Sequence, residues 1–188
     1  MVSSESGNLV DFLITNNGQS SSIFRLGNHK LLYPDIVVTH KVQMYTKRID
    51  EVIPDSASFN FLNIDIQGGE LGALKGLGGL MRKIDYIYTE VNRKELYANI
   101  PLIREIDEYL QVFGFVRKIT YWVPYEGWGD ALYVRQNFNQ NITFGQKVNI
   151  FFTQIVFKAS YLNYHLLHRY LKRQFYLLIN YFSGPVTH

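Results

Sequence analysis

Apolar and polar positions along this chain alternate in patterns that separate short strands from helices. Residues 9–15 (LVDFLIT) form a nearly continuous apolar run closed by Asn16-Asn17-Gly18, the pattern of a buried strand and a turn. Serine is a good N-cap, so 19–22 is expected to begin a helical turn. The β-branched run 36–40 (IVVTH) predicts a second strand, and 48–53 (RIDEVI) one helical turn before Pro54. A third strand covers 59–66 (FNFLNIDI). Gly68-Gly69 follows, then a helix from Glu70 with Leu71, Leu74 and Leu77 on one face and Gly76 as its C-cap. The next strand is 84–91 (IDYIYTEV). A short helix between two strands has the spacing of a βαβ unit, which implies parallel pairing.

Pro101 opens the clearest helix, with Leu102, Ile103, Ile106, Leu110 and Phe113 on one face and Gly114 at its end. Glu105, Asp107 and Glu108 are expected to face water. Strands at 115–123 and 130–135 then flank the loop 124–128 (PYEGW), short enough for an antiparallel hairpin. The predicted order, β-β-β-α-β-α-β-β, is that of an α/β domain, mostly parallel, whose last strand runs against the rest.

Beyond residue 136 the pattern changes. Residues 137–142 read as a linker, and 147–182 as helix-compatible and rich in aromatics, with Lys158, His165, Arg169 and Lys172 on one stripe. Two segments are therefore expected: a domain over 1–136 and a basic, aromatic helical tail over 137–188. The chain has 188 residues, 47% hydrophobic and 19% charged, enough for a sizeable core. Its net charge of +3 hides an asymmetry. Residues 137–188 hold five basic groups and no acidic one, leaving 14 basic against 16 acidic groups before them. The pI near 9.0 thus belongs to the tail, and nucleic acid is not an expected partner.

The chain has no cysteine, which excludes disulfides, Cys-ligated metal and thiol nucleophiles. With no basic-then-apolar leader at the N-terminus, the expected location is cytoplasmic. No apolar run approaches the roughly 18 residues of a membrane span.

Chemistry concentrates in three stretches. In 63–70 (NIDIQGGE), Asp65 stands at the C-terminal end of a strand whose successor is parallel, where ligands bind in open α/β sheets, and a glycine pair opens the next helix. Equally, Asp65 and Glu70 read as caps of that helix. In 89–93 (TEVNR), Glu90 and Asn92 end the next strand. If the strands are neighbours, Asp65, Glu90 and Asn92 share an edge, able to hold Mg²⁺ or Ca²⁺ or to supply a general base. The plainer reading is a Glu90–Arg93 surface pair. The third stretch joins Tyr121-Trp122-Val123-Pro124 to Gly127-Trp128-Gly129-Asp130. Its aromatics either cover a pocket with Asp130 pointing into it, or staple the hairpin to a helix. The five histidines form no ligand pattern, with His165 and His168 only an i,i+3 pair. The Asn141-Ile142-Thr143 sequon is read as chance. There is no G-x-G-x-x-G turn.

Taken in order, the runs FLNIDIQGGELGALKG, IDYIYTEVNRKELY, IDEYLQVFGF and WGDALYVR, with NNGQSSSI and RIDE upstream, resemble the FkbM-type methyltransferases. The resemblance covers about 9–135. It implies a Rossmann-like class I fold, a seven-stranded sheet with an antiparallel last strand. It also implies S-adenosylmethionine as cofactor and methyl transfer to oxygen on a sugar or small metabolite. By position, Asp65 and Glu90 are the implied catalytic residues, with Gln67, Glu70, Asn92 and Asp130 near cofactor or acceptor; whether a divalent metal takes part is left open. Gln67 and Gly69 replace the more usual Glu and Ala.

The family's first strand, its Asp-x-Gly-Ala-Asn-x-Gly loop and its second strand would precede everything seen here. The expectation is therefore an N-terminally shortened domain whose grip on the cofactor, and whose activity alone, are impaired. The alternative is a non-catalytic scaffold whose basic amphipathic tail meets an anionic membrane surface or a protein groove.

Overall fold

Parallel strands cannot be joined by a tight turn, and the chain between 61 and 92 supplies the crossover they need. In the computed structural model of this protein, which describes residues 1–136, β3 (Phe61–Ile64) pairs in parallel with β4 (Tyr86–Asn92), Phe61 opposite Tyr86 and Ile64 opposite Thr89. The connection is α3 (Glu70–Lys75) followed by a 3₁₀ turn, Gly78–Lys83. Beyond α4 (Ile103–Val112), β5 (Phe115–Trp122) turns back into β6 (Trp128–Arg135). The sheet order is β3-β4-β6-β5, with β6 antiparallel to both its neighbours. Three strands thus share one direction and β6 opposes them, although only one of the three pairings is parallel.

The core lies between this sheet and its helices. Leu71, Leu74, Leu77, Leu80 and Met81 from the crossover meet Ile87 and Val91 of β4, Ile106 and Leu110 of α4, and Ala131 and Tyr133 of β6. Each of the Leu, Ile, Val and Met side chains among these contributes on the order of 1.5–3 kcal/mol by leaving water. Arg135 ties the far end of the sheet. Its guanidinium donates to the carbonyls of Ile84 (2.9 Å), Phe113 (2.7 Å) and Met81 (2.6 Å) and lies over the Phe115 ring. The Phe113 carbonyl at the end of α4 and the Ile84 carbonyl just past the 3₁₀ turn thereby find a donor, and the Met81 carbonyl a second one.

The first two strands depart from expectation. β1 (Leu9–Thr15) and β2 (Val38–Tyr45) form a separate two-stranded antiparallel sheet instead of extending the main one. Between them lies only the single turn α1 (His29–Leu32), so nothing carries the chain across a sheet face. Residues 19–22 are not helical. Ser22 bridges Leu13, N–H to carbonyl in both directions, at 2.8 and 3.1 Å. The expected turn at 48–53 is α2 (Ile49–Val52), with Arg48 paired to Asp50 at 2.6 Å.

On the acidic face of α4, Glu105 and Glu108 are exposed as expected, while Asp107 is half-buried. Glu105 folds back to accept the Leu102 N–H at 2.8 Å, and Asp107 accepts from Arg117 (2.9 Å) and the Tyr133 hydroxyl (2.8 Å). Glu108 pairs with Arg104. Among the described residues no helix is long and apolar enough to cross a membrane. The 147–182 helix with its basic stripe, His165, His168 and the Asn141 sequon lie outside the described residues.

Gly76 does cap α3, but its φ of −69° is right-handed. Its glycine is required by proximity: a Cβ there would stand 2.2 Å from the Ser3 carbonyl oxygen. At Gly72, one turn earlier, the nearest atom is 3.8 Å away. Gly76→Ala is therefore expected to destabilise by about 1–3 kcal/mol, whereas Gly72→Ala is neutral or gains up to about 1 kcal/mol. Thermal unfolding of the two variants checks this; equal midpoints would refute the packing of 1–4 against α3.

Candidate functional site

Strand β3 ends at Ile64 because the next five residues turn sharply. Gln67 (φ 55°) and Gly68 (φ 99°) are both left-handed. At a non-glycine residue this costs about 1–2 kcal/mol, so something must hold it. Glu70 does part of that. It is 3% exposed, and its Oε1 accepts the N–H groups of Ile66 (3.0 Å) and Gly68 (3.1 Å). Burial pushes its carboxyl above the usual range, while these N–H donors pull it back. Of the two readings of Glu70, the structure places it as the clasp of its own loop.

Gln67 is the centre of the site. Its Nε2 donates to Asp65 Oδ1 at 2.8 Å and to Glu90 Oε2 at 3.2 Å. Its Oε1 accepts the Tyr97 hydroxyl at 2.7 Å, and its backbone carbonyl accepts Ser22 Oγ at 2.6 Å. The parallel register of β3 and β4 is what brings Asp65 and Glu90 to one edge.

Glu90 and Asn92 alternate along β4 with the core residues Ile87 and Val91, so they project from the opposite face. Both are buried. Burial, with the carboxylates of Glu70, Asp65 and Asp130 nearby, pushes the Glu90 carboxyl well above the usual carboxylate range. Asn92 Nδ2 donates to Glu90 Oε1 at 3.3 Å, while Asn92 Oδ1, on a side chain 2% exposed, takes no hydrogen bond. Asp130 stands opposite Glu90 in the β4–β6 register. Asp65 is exposed. The expected set thus converges: Asp65, Gln67, Glu90 and Asn92 in one hydrogen-bonded group, Glu70 beneath it, Asp130 beside it.

The plainer reading of Glu90 falls away: Arg93 does not pair with it but lies over the Trp122 ring, 5.0 Å from its centroid. The plainer reading of the hairpin holds, since its tip is stapled to the end of the short helix α1 and to the loop after β4. Trp128 packs on Leu96, Tyr97 and Ile100, and its Nε1 donates to Glu126 at 2.7 Å. The Tyr33 hydroxyl donates to the same Glu126 oxygen, and burial with this bond pushes Tyr33 up to about 12. Beside this tie, Leu31, Leu32, Leu96, Lys94, Tyr125 and Glu126 line an open cleft of about 250 Å³, with Tyr125 94% exposed. Among the described residues no group of three or more His, Asp or Glu side chains is arranged to hold a metal ion.

Tyr97, Ser22, Tyr33 and His29 were not singled out from sequence. The signal for Tyr97 and Ser22 lay in the NRKELY and NNGQSSSI runs, which match a pattern without naming a role. His29 had none. It is buried between the rings of Tyr33 and Tyr97, and its Nδ1 has no hydrogen-bond partner.

The family model of the methyltransferase FkbM domain matches residues 4–117, more than half of the chain. The chain belongs to the FkbM methyltransferase family. No curated protein and no solved structure matches it. The match takes in every residue of the Asp65–Gln67–Glu70–Glu90–Asn92–Tyr97 group and ends within β5 of this FkbM chain, before the Asp130 hairpin strand.

Glu90 holds its proton more tightly in the folded chain than its ordinary value of 4.5 implies. Its contribution to stability is therefore complete below that pH and is lost as pH rises through the folded-state value. Relative to Glu90→Gln, the wild-type melting temperature is expected to fall as pH is raised from about 4.5. Parallel melting curves against pH would rule out Glu90 as the buried titrating acid.

Proposed function

We propose that this FkbM domain carries out S-adenosylmethionine-dependent methyl transfer to a hydroxyl of a sugar or other small molecule. Transfer takes place at the Asp65–Glu90 edge of a class I sheet. The observation that carries the reading is the pair of carboxylates held on one amide, at the C-terminal ends of two neighbouring parallel strands. The strand order, with an antiparallel β6 beside β4, supports the fold assignment.

The residues suit such a cofactor. S-adenosylmethionine, when bound, supplies an electrophilic methyl group on a positively charged sulfur. The carboxyls crowded around Glu90 favour a cation, since each raises the cost of charging the next. The free Asn92 Oδ1 is an acceptor awaiting a donor. Asp65, Glu90 and Asn92 are thus the groups that would meet cofactor and acceptor.

Each residue then has a distinct task. Asp65, the exposed carboxylate, is reached by an incoming hydroxyl and takes its proton as the oxygen becomes methylated. Glu90, buried on the far side of the amide, sets the charge of the edge. Gln67 keeps the two apart and oriented. The sequence contains no Asp-x-Gly-Ala-Asn-x-Gly loop, so we expect weak cofactor affinity and slow turnover from these 188 residues alone.

Calorimetric titration with S-adenosylhomocysteine tests the reading. Saturable one-to-one binding, weakened in Glu90→Gln, is the expected result, and no heat from a demonstrably folded chain would overturn it. Where turnover is measurable, Asp65→Asn should lower the rate of methyl transfer by about 10²-fold or more, the usual size of a general-base contribution.

A further inference from the structure

Two features of Gln67 ask for an explanation that the turn alone does not supply. A glycine would adopt its left-handed φ of 55° without strain, yet a long amide side chain stands there. That amide is also engaged at both ends, by Asp65, Glu90 and Tyr97. Strain kept at a site and held from several directions points to a task for the side chain.

We infer that Gln67 and Tyr97 form a positioning pair, in which the Tyr97 hydroxyl fixes the Gln67 amide so that its Nε2 holds the Asp65 and Glu90 carboxylates together at the sheet edge. The inference rests on the methyl-transfer reading only for what the held pair is used for.

The orientation of the amide follows from donor and acceptor chemistry. The amide carbonyl can only accept and so must meet a donor, which leaves the NH₂ end for the carboxyl oxygens of Asp65 and Glu90. Tyr97 is that donor. Its single hydroxyl proton goes to Gln67 Oε1 at 2.7 Å in preference to the Ser20 carbonyl at 3.3 Å. Burial, chiefly, pushes the Tyr97 hydroxyl further from ionisation, so it remains a donor throughout the neutral range. The backbone side is held independently: Ser22 Oγ bonds the Gln67 carbonyl at 2.6 Å, and Glu70 ties the Gly68 N–H at 3.1 Å. Tyr97 touches neither carboxylate through a hydrogen bond, so it acts on them through the amide. A glutamate at 67, the more usual residue of the resembled pattern, would place a third carboxylate against the other two and could not donate to either.

Glu90 is faced by Asp65 from the β3 loop, Glu70 from α3, Asp130 from β6, and its own strand's Asn92. Gln67 is the amide donor that serves both it and Asp65. Weakening that donor shifts the titration of Glu90 upward, because a hydrogen bond to a carboxylate favours its charged form.

The test is a carbon-detected NMR titration of the Glu90 carboxyl in the ¹³C-labelled chain. In Tyr97→Phe it is expected to titrate higher than in wild type. A Tyr97 that merely braces the loop would lower the melting temperature and leave that titration in place, and that result overturns the inference. Should Tyr97→Phe fail to fold, Gln67→Met removes the amide at nearly constant volume and is read by the same two outcomes. Upward titration shifts in a chain that does not bind S-adenosylhomocysteine would sink the methyl-transfer reading and leave the positioning pair standing. Unshifted titrations in a chain that does bind it would do the reverse.

Discussion

Two strands running side by side in the same direction must be joined by a segment that leaves the sheet, crosses a face and returns to the starting edge. The pairing of β3 with β4 imposes that requirement, and much of the molecule follows from it. The crossover, α3 and its 3₁₀ turn, delivers Leu71, Leu74, Leu77 and Met81 to the core. The same pairing sets the C-terminal ends of both strands at one edge, so that residues 25 positions apart in the chain, Asp65 and Glu90, come to share one amide. Moving one strand by one residue would turn Glu90 into the core and Val91 out of it, because side chains alternate along β4.

The edge so formed gathers several carboxyl groups in a small volume, with Glu70 and Glu90 buried. Burial disfavours ionisation of Glu90, and Glu70, Asp65 and Asp130 lie close enough that each adds to this. Such a group persists in a folded chain only when donors answer it. Here the donors are the Ile66 and Gly68 amides for Glu70, the Gln67 amide for Asp65 and Glu90, and the Asn92 amide for Glu90. The loop pays in backbone strain at Gln67 for the geometry that lets one side chain serve two acids. A catalytic edge is the usual place for that combination of raised pKa, strain and an unpartnered polar atom.

Much of this was legible along the chain. The periodicity of 101–113 located α4, and the alternation and glycines of 59–91 located the βαβ unit. The runs from NIDIQGGE to TEVNR named the acids that converge. Less legible were groups whose role depends on a distant partner. Asp107 reads as a solvent-facing acid on the helix, yet Arg117 and Tyr133, 10 and 26 residues away, claim its two oxygens. Gly76 reads as a conformational stop, yet Ser3 dictates its size. Tyr97 reads as one aromatic among many until its hydroxyl is found on the Gln67 carbonyl oxygen.

What the sequence by itself determined is what lies within the reach of local physics: turn chemistry at glycines, helix and strand periods, and the order of elements with their family pattern. These depend on neighbours a few residues away, and a linear pattern records them. Tertiary structure alone decided that β1 and β2 leave the main sheet to pair with each other. It alone decided that Glu90 is buried against three other carboxyls instead of paired with Arg93, and that one glutamine joins the two acids. The reason is that strand pairing and burial are settled by contacts between segments tens of residues apart, and the apolar run of β1 has the same appearance whichever sheet receives it.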